Sequence, residues 1–196
     1  SGVFQTRVSV FGVEGSSSTS GTVIRTTNAG SHYYTFTVQD TNNVVVDGVT
    51  VDASHKTRGI HVQTTENVTI RNCKVYNALA VGIGLFYAHR SSVLNCYVEG
   101  IQYGNTPGSS AADGIHLGGS HYCLVQGNTI IDFERIGIVT ESNGAGTFSA
   151  NNLICNNRIE YGHDSLNAQS ADHQGNAGIW CENSHTTIIS QNIISD

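Results

Sequence analysis

Residues 114–132 read GIHLGGSHYCLVQGNTIID, and this stretch is one copy of a unit that returns along the chain. It opens on Gly-Ile-His-Leu. Ten residues after Ile115 comes Val125, followed by Gly127, Asn128 and Ile130. Ile60 leads by the same ten to Ile70, Asn72, Cys73 and Val75, and Ile83 to Val93, Asn95, Cys96 and Val98. Ile179 leads by ten to Ile189, Gln191, Asn192 and Ile194, and Phe36 to Val46, Gly48, Val49 and Val51. Ile138 has the same partners, Ile154, Asn156, Asn157 and Ile159, at a distance of sixteen. The copies start 24, 23, 32, 23 and 41 residues apart. A fixed internal offset at such a period is the signature of a solenoid.

Each copy holds short alternating apolar runs, such as IHV, VTI and CKV in the copy at Ile60. Alternation of this kind is β, and no stretch carries a sustained helical stripe. Gly and Asn mark the corners, where left-handed backbone is cheap. Three short strands per coil of 23 residues predict an all-β, single-stranded parallel β-helix of six to seven coils. Each strand then pairs with its counterpart one coil away. The corner column Val49, Cys73, Cys96, Asn128, Asn157, Asn192 predicts an inward ladder of Asn amides, with small Cys in its dry part.

This pattern resembles the right-handed parallel β-helix repeat family, the pectate-lyase-like superfamily, over residues 34–196. The resemblance implies the right-handed fold. The family includes polysaccharide lyases, glycoside hydrolases, uronan epimerases and bacteriophage tailspikes or tail fibres.

The length of 196 residues fits one domain, with an irregular first coil over 1–33 and the β-helix over 34–196. Hydrophobic residues make up 38% of the chain, charged residues only 12%, and the net charge is −6 with two Lys, Lys56 and Lys74. That balance gives no basic face for nucleic acid. No apolar run reaches membrane-span length, and no signal peptide is visible. Five Cys without scaffold-like spacing read as free thiols, with Cys73, Cys96, Cys123 and Cys181 at buried column positions. Such usage predicts assembly in a reducing cytoplasm. The absence of Met, the strand-like VSVFGV near the start and the lack of a capping helix predict a piece of a longer chain.

Three connections exceed the tight one: loops at 99–113, 141–150 and 160–177, by nine, six and twelve residues. Insertions in solenoids collect on one face, often the binding face. The first and third occupy the same connection two coils apart. At a strand spacing of about 4.8 Å they predict two walls of a groove. Its floor is the outward column Thr37, His61, Gly84, His116, Val139, Trp180. Trp180 offers a platform for a sugar ring, and Gly84 is expected to leave room for a bound group.

Asp113, His116, Asp164, Asp172 and His173 are the candidate catalytic residues, and His61, Tyr103, Arg135, His163 and Trp180 the candidate substrate-binding ones. Glycosidic hydrolysis needs two carboxyls across the scissile bond, a role open to Asp113 with Asp164 or Asp172. Elimination needs a base, an acid and a group that neutralises the uronate carboxylate. His116 or His173 with Arg135 meet that requirement. Asp113-Gly114 resembles the Asp-Gly of polygalacturonase-like hydrolases, where the Asp is catalytic. The Asp-Asp pair of that family is missing here, and Arg135 stands before the His. Tyr161-Gly162-His163-Asp164 is similar to the Tyr-Gly-x-Asp of mannuronan epimerases, but Ser165-Leu166 follows where Pro-His should. No calcium-loop motif is present, so neither metal nor cofactor is expected.

The expected function is polysaccharide recognition with depolymerisation, by hydrolase or lyase chemistry, outside the cell or on a phage tail. The alternatives are a non-catalytic structural or receptor-binding β-helix and a secreted microbial lyase or epimerase. The expected partner is a glycan, with no nucleic acid and no membrane insertion. The resemblance to tailspikes implies a homotrimer.

Overall fold

The computed structural model describes residues 8–11, 23–26, 34–103, 111–144, 146–162 and 177–195. Short strands alternate with corners, and no helix occurs among the described residues. The strands stack into three parallel sheets of seven, seven and six strands, and successive coils add to the three sheets in turn. The chain is a parallel β-helix.

The ten-residue offset is the register. Val46, Ile70, Val93, Val125, Ile154 and Ile189 pair in sequence across the first sheet. Val51, Val75, Val98, Ile130, Ile159 and Ile194 do so in the second. Phe36, Ile60, Ile83, Ile115, Ile138 and Ile179 line up in the third. The inner Ile, Val and Leu of the middle coils are fully buried and form one continuous core. Burial of such columns supplies the main driving force, about 1.5–3 kcal/mol per side chain.

The corners are of two kinds. Gly48, Asn72, Asn95, Gly127, Asn156 and Gln191 all take positive φ, as the turn into the second sheet requires. The Gly that precedes each Ile of the third sheet is there for space instead. A Cβ at Gly114 would lie 2.4 Å from Ile130 Cγ2 and 2.6 Å from the Gly137 carbonyl oxygen; Gly59, Gly82 and Gly137 meet the same obstruction, and Gly178 meets the Ile194 side chain.

The expected Asn ladder is present. Asn128 Nδ2 donates to Asn157 Oδ1 at 2.9 Å, and Asn157 Nδ2 to Asn192 Oδ1 at 2.9 Å. Each Oδ1 also accepts a backbone N–H, that of Cys96 at Asn128 and that of Asn128 at Asn157. All five cysteines are free thiols; Cys73, Cys96, Cys123 and Cys155 are buried. Cys181 differs from expectation and is exposed, because the Ala177–Cys181 strand is the outermost of its sheet.

The third sheet carries the candidate site. Its strands are Tyr34–Gln39, Arg58–Glu66, Val81–His89, Asp113–Gly118, Ile136–Glu141 and Ala177–Cys181. The first insertion begins after a strand that runs to Ile101 and ends where the next begins at Asp113. The second returns through a short strand, Ser149–Ala150, that pairs with Ser184–His185.

Candidate functional site

Ile115 and Leu117 point into the core, so His116 between them points out. Asp113 starts the same strand, and its carboxylate reaches the side on which His116 stands. There Asp113 Oδ2 lies 3.0 Å from His116 Nδ1. Arg135, which leads into the next strand of the sheet, grips the same carboxylate in two bonds, Nε to Oδ1 at 2.8 Å and Nη2 to Oδ2 at 3.1 Å. The other imidazole nitrogen, His116 Nε2, lies 3.0 Å from Glu141 Oε1. Glu141 pairs with Gly118 one coil away. Four charged groups thus form one line, Arg135–Asp113–His116–Glu141.

The line runs from buried to open. The Asp113 side chain is fully buried, those of His116 and Arg135 are 8% and 13% exposed, and that of Glu141 is 27% exposed. Burial by itself disfavours an imidazolium. The hydrogen bonds to Asp113 and Glu141, with the charges of both carboxylates, outweigh it and raise the His116 pKa to about 9. His116 is therefore a cation that donates from both nitrogens. Burial pushes the Glu141 pKa up, but the His116 hydrogen bond and charge and the Arg135 charge bring it below the usual range. Glu141 is a carboxylate at neutral pH, oriented by a fixed imidazolium.

The outward column is a packed surface, and this corrects the expected open floor. His61, His116 and Val139 are all buried. The space over Gly84 is filled by the Phe86 ring, whose Cε2 would stand 2.4 Å from a Cβ there. Phe86 follows Gly84 by two residues and so shares its outward side. Its ring centroid lies 4.9 Å from that of His116 and 5.3 Å from that of His61. Beyond His61, Tyr34 stacks at 3.7 Å.

Of the residues expected from the sequence, Asp113, His116 and Arg135 come together. Tyr103 borders them, its backbone N–H donating to Glu134 Oε2 at 2.7 Å. His61 lies two strands to one side of His116 and half-buried Trp180 two strands to the other. Trp180 Nε1 donates to Glu182 Oε2 at 3.4 Å. His163, Asp164, Asp172 and His173 lie outside the described residues. Glu141 and Phe86 were not anticipated. Both stand in the next outward column, Gln39, Gln63, Phe86, Gly118, Glu141. Counting two residues beyond each x of Gly-Ile-x-Leu finds them.

Among the described residues no three His, Cys, Asp or Glu side chains are placed to share a metal ion. His116 has no free lone pair. His89 Nδ1 accepts the backbone N–H of His121 at 3.2 Å, and the two rings stack 4.8 Å apart, so their lone pairs do not converge.

The fold recurs in solved structures. A polygalacturonase from Erwinia carotovora ssp. carotovora matches at 14% identity and a TM-score of 0.54, over 82% of this chain and 48% of its own. An alginate lyase from Paenibacillus sp. str. FPU-7 matches at 11% identity and a TM-score of 0.47, over 89% of this chain and 80% of its own. The Dettilon tailspike protein matches at 14% identity and a TM-score of 0.41, over 89% and 38%. The chain spans about half the length of the polygalacturonase. No curated protein sequence matches it. The likeness to the polygalacturonase is one of fold, the parallel β-helix. The model of a family described as "Periplasmic copper-binding protein (NosD)" matches residues 4–171. With most of its length under that match, the chain belongs to the NosD family.

Proposed function

We propose that this chain binds a glycan on the outer face of its third sheet and that Glu141 performs acid–base or nucleophilic chemistry on it. One observation carries the reading: a part-exposed carboxylate held ionised at the open end of a buried Arg135–Asp113–His116 line. Structure spends buried charge in this way mostly where a functional group must be oriented. Asp113 is too buried to touch a substrate, so its part is to hold His116. Arg135 is committed to Asp113 and orients it in turn. Trp180, half-buried on the same face, supplies a ring platform.

A depolymerisation screen tests the reading, beginning with polygalacturonate and alginate, the polymers in the names of the structural neighbours. Reducing ends without unsaturation identify a hydrolase, and absorbance of an unsaturated uronate identifies a lyase. Either activity must vanish in Glu141→Gln. A second reading is a non-catalytic shaft in which the same line braces neighbouring coils. The equal count of positive and negative groups in that line favours it. It predicts no product from any glycan, with Glu141→Gln affecting stability alone.

The description of the family names copper and the periplasm. The described residues do not fit a copper site: no three His, Cys, Asp or Glu side chains gather among them, His116 is protonated on both nitrogens, His89 Nδ1 accepts the His121 N–H, and four thiols are sealed in the core. No step is derived through copper. A place outside the cytoplasm agrees with the glycan reading. Four of the five thiols are shielded by burial from oxidation, so free cysteines do not require a reducing compartment. A phage tail-fibre setting and a homotrimer are the finer form of this proposal; light scattering on the protein checks the trimer.

A further inference from the structure

We propose that His61 is a hydroxyl-accepting subsite for the glycan, two coils from His116 on the same outer column; the proposal rests on the reading of this face as a glycan site. Three observations carry it. His61 Nε2 lies 2.7 Å from Gln63 Oε1, an acceptor, so the ring proton sits on Nε2 and Nδ1 keeps its lone pair. That Nδ1 is buried and has no hydrogen-bond partner, in a residue only 4% exposed. Buried acceptors are nearly always satisfied, and one left over on a binding face points to a donor from outside the chain. Finally, the ring is held rigidly, with Tyr34 stacked at 3.7 Å and Phe86 tilted against it at 5.3 Å.

The two histidines of this column are thus set in opposite states by their partners. His116 faces two carboxylates and is a cation with no lone pair. His61 faces an amide carbonyl and the Arg58 charge, and burial keeps it neutral. A neutral imidazole in a fixed tautomer accepts one hydrogen bond from a sugar hydroxyl. A carboxylate or phosphate, which brings no proton, gains nothing from it. Tyr34, stacked on the face of the His61 ring, is the half-buried member of the stack. Arg58 Nη1 holds it through a 2.7 Å bond to the phenolic oxygen.

The test is long-range 1H–15N NMR on the whole chain, titrated with oligogalacturonate, oligomannuronate and maltohexaose. The free protein is expected to show His61 protonated on Nε2 alone across neutral pH. A bound oligosaccharide is expected to move the Nδ1 resonance upfield, as a lone pair that accepts a hydrogen bond does. His61→Phe keeps the ring stack and removes the acceptor, and should weaken binding about tenfold. Its thermal melt and its unchanged His116 signals establish that the fold survives. If the His116 signals respond to a glycan while His61 Nδ1 does not, the site reading stands and the subsite is overturned. If neither histidine responds to any of the three, both the glycan reading and the subsite fall.

Discussion

His116 Nε2 and Glu141 Oε1 meet at 3.0 Å across the boundary between two coils, joining a buried cation to a part-exposed anion. The contact ties the strand Asp113–Gly118 to Ile136–Glu141 by side chains as well as by the backbone ladder.

Stability should follow the protonation of His116. Its folded pKa is raised from 6.5 to about 9, so its contribution is complete below the unfolded value and is lost as pH rises through the folded one. A difference of this size corresponds to about 3 kcal/mol. Urea melts should show unfolding free energy falling between pH 6.5 and 9 and levelling off above. In Glu141→Gln, which removes one of the two carboxylates, the fall should begin at the same pH, be smaller and level off at lower pH.

Glu141→Gln should also lower any depolymerase activity by at least about 100-fold, the usual weight of a positioned acid–base group. Asp113→Asn should lose activity too, through His116, but with a clear loss of stability because Arg135 is left without its counter-charge. Comparing rate with melting temperature for the two variants separates the reacting group from the positioning one.

Asn157→Ala should destabilise by about 3 kcal/mol, since it strands the buried Asn128 backbone N–H and the Val125 carbonyl that Asn157 satisfies. Asn151→Ala, on an exposed corner, should cost less, mainly through its positive φ. Chemical denaturation of the pair is the measurement.

A thiol reagent added to the native protein should modify Cys181 promptly and leave four cysteines untouched until denaturant is added. Cys123 illustrates the reason: burial raises its thiol to about 12, and its Sγ points to the Ala88 carbonyl oxygen. Counting the labelled groups by mass spectrometry settles the number.

The fold was legible because every column runs at one offset, so a single register explains Ile60, Ile70 and Val75 together. Asp113, His116 and Arg135 were legible as neighbours for the same reason: they sit at or beside equivalent places on adjacent strands. Glu141 was equally readable, one outward step further along the strand. The misreading of Gly84 shows what a single column hides. The void at a glycine belongs to whichever large side chain is nearest, and Phe86 is two residues away. The exposure of Cys181 depends on its strand being outermost, which a repeat pattern does not encode. Whether a polar side chain ends up paired was not legible either: the Gln63 contact that fixes the His61 tautomer is a matter of rotamers.

The row of glycines at 59, 82, 114, 137 and 178 has a consequence for how such a chain can be edited. The first four are locked to the carbonyl of the next layer and Gly178 to the Ile194 side chain, so the tolerated unit of change is a whole turn of the spiral. A duplicated or deleted turn carries its own notch and fits; a shift by a residue or two puts a methyl group where a backbone oxygen stands. Material spliced in between turns leaves the notches aligned. The scaffold can therefore be lengthened, shortened or decorated while Asp113, His116 and Glu141 keep their common side.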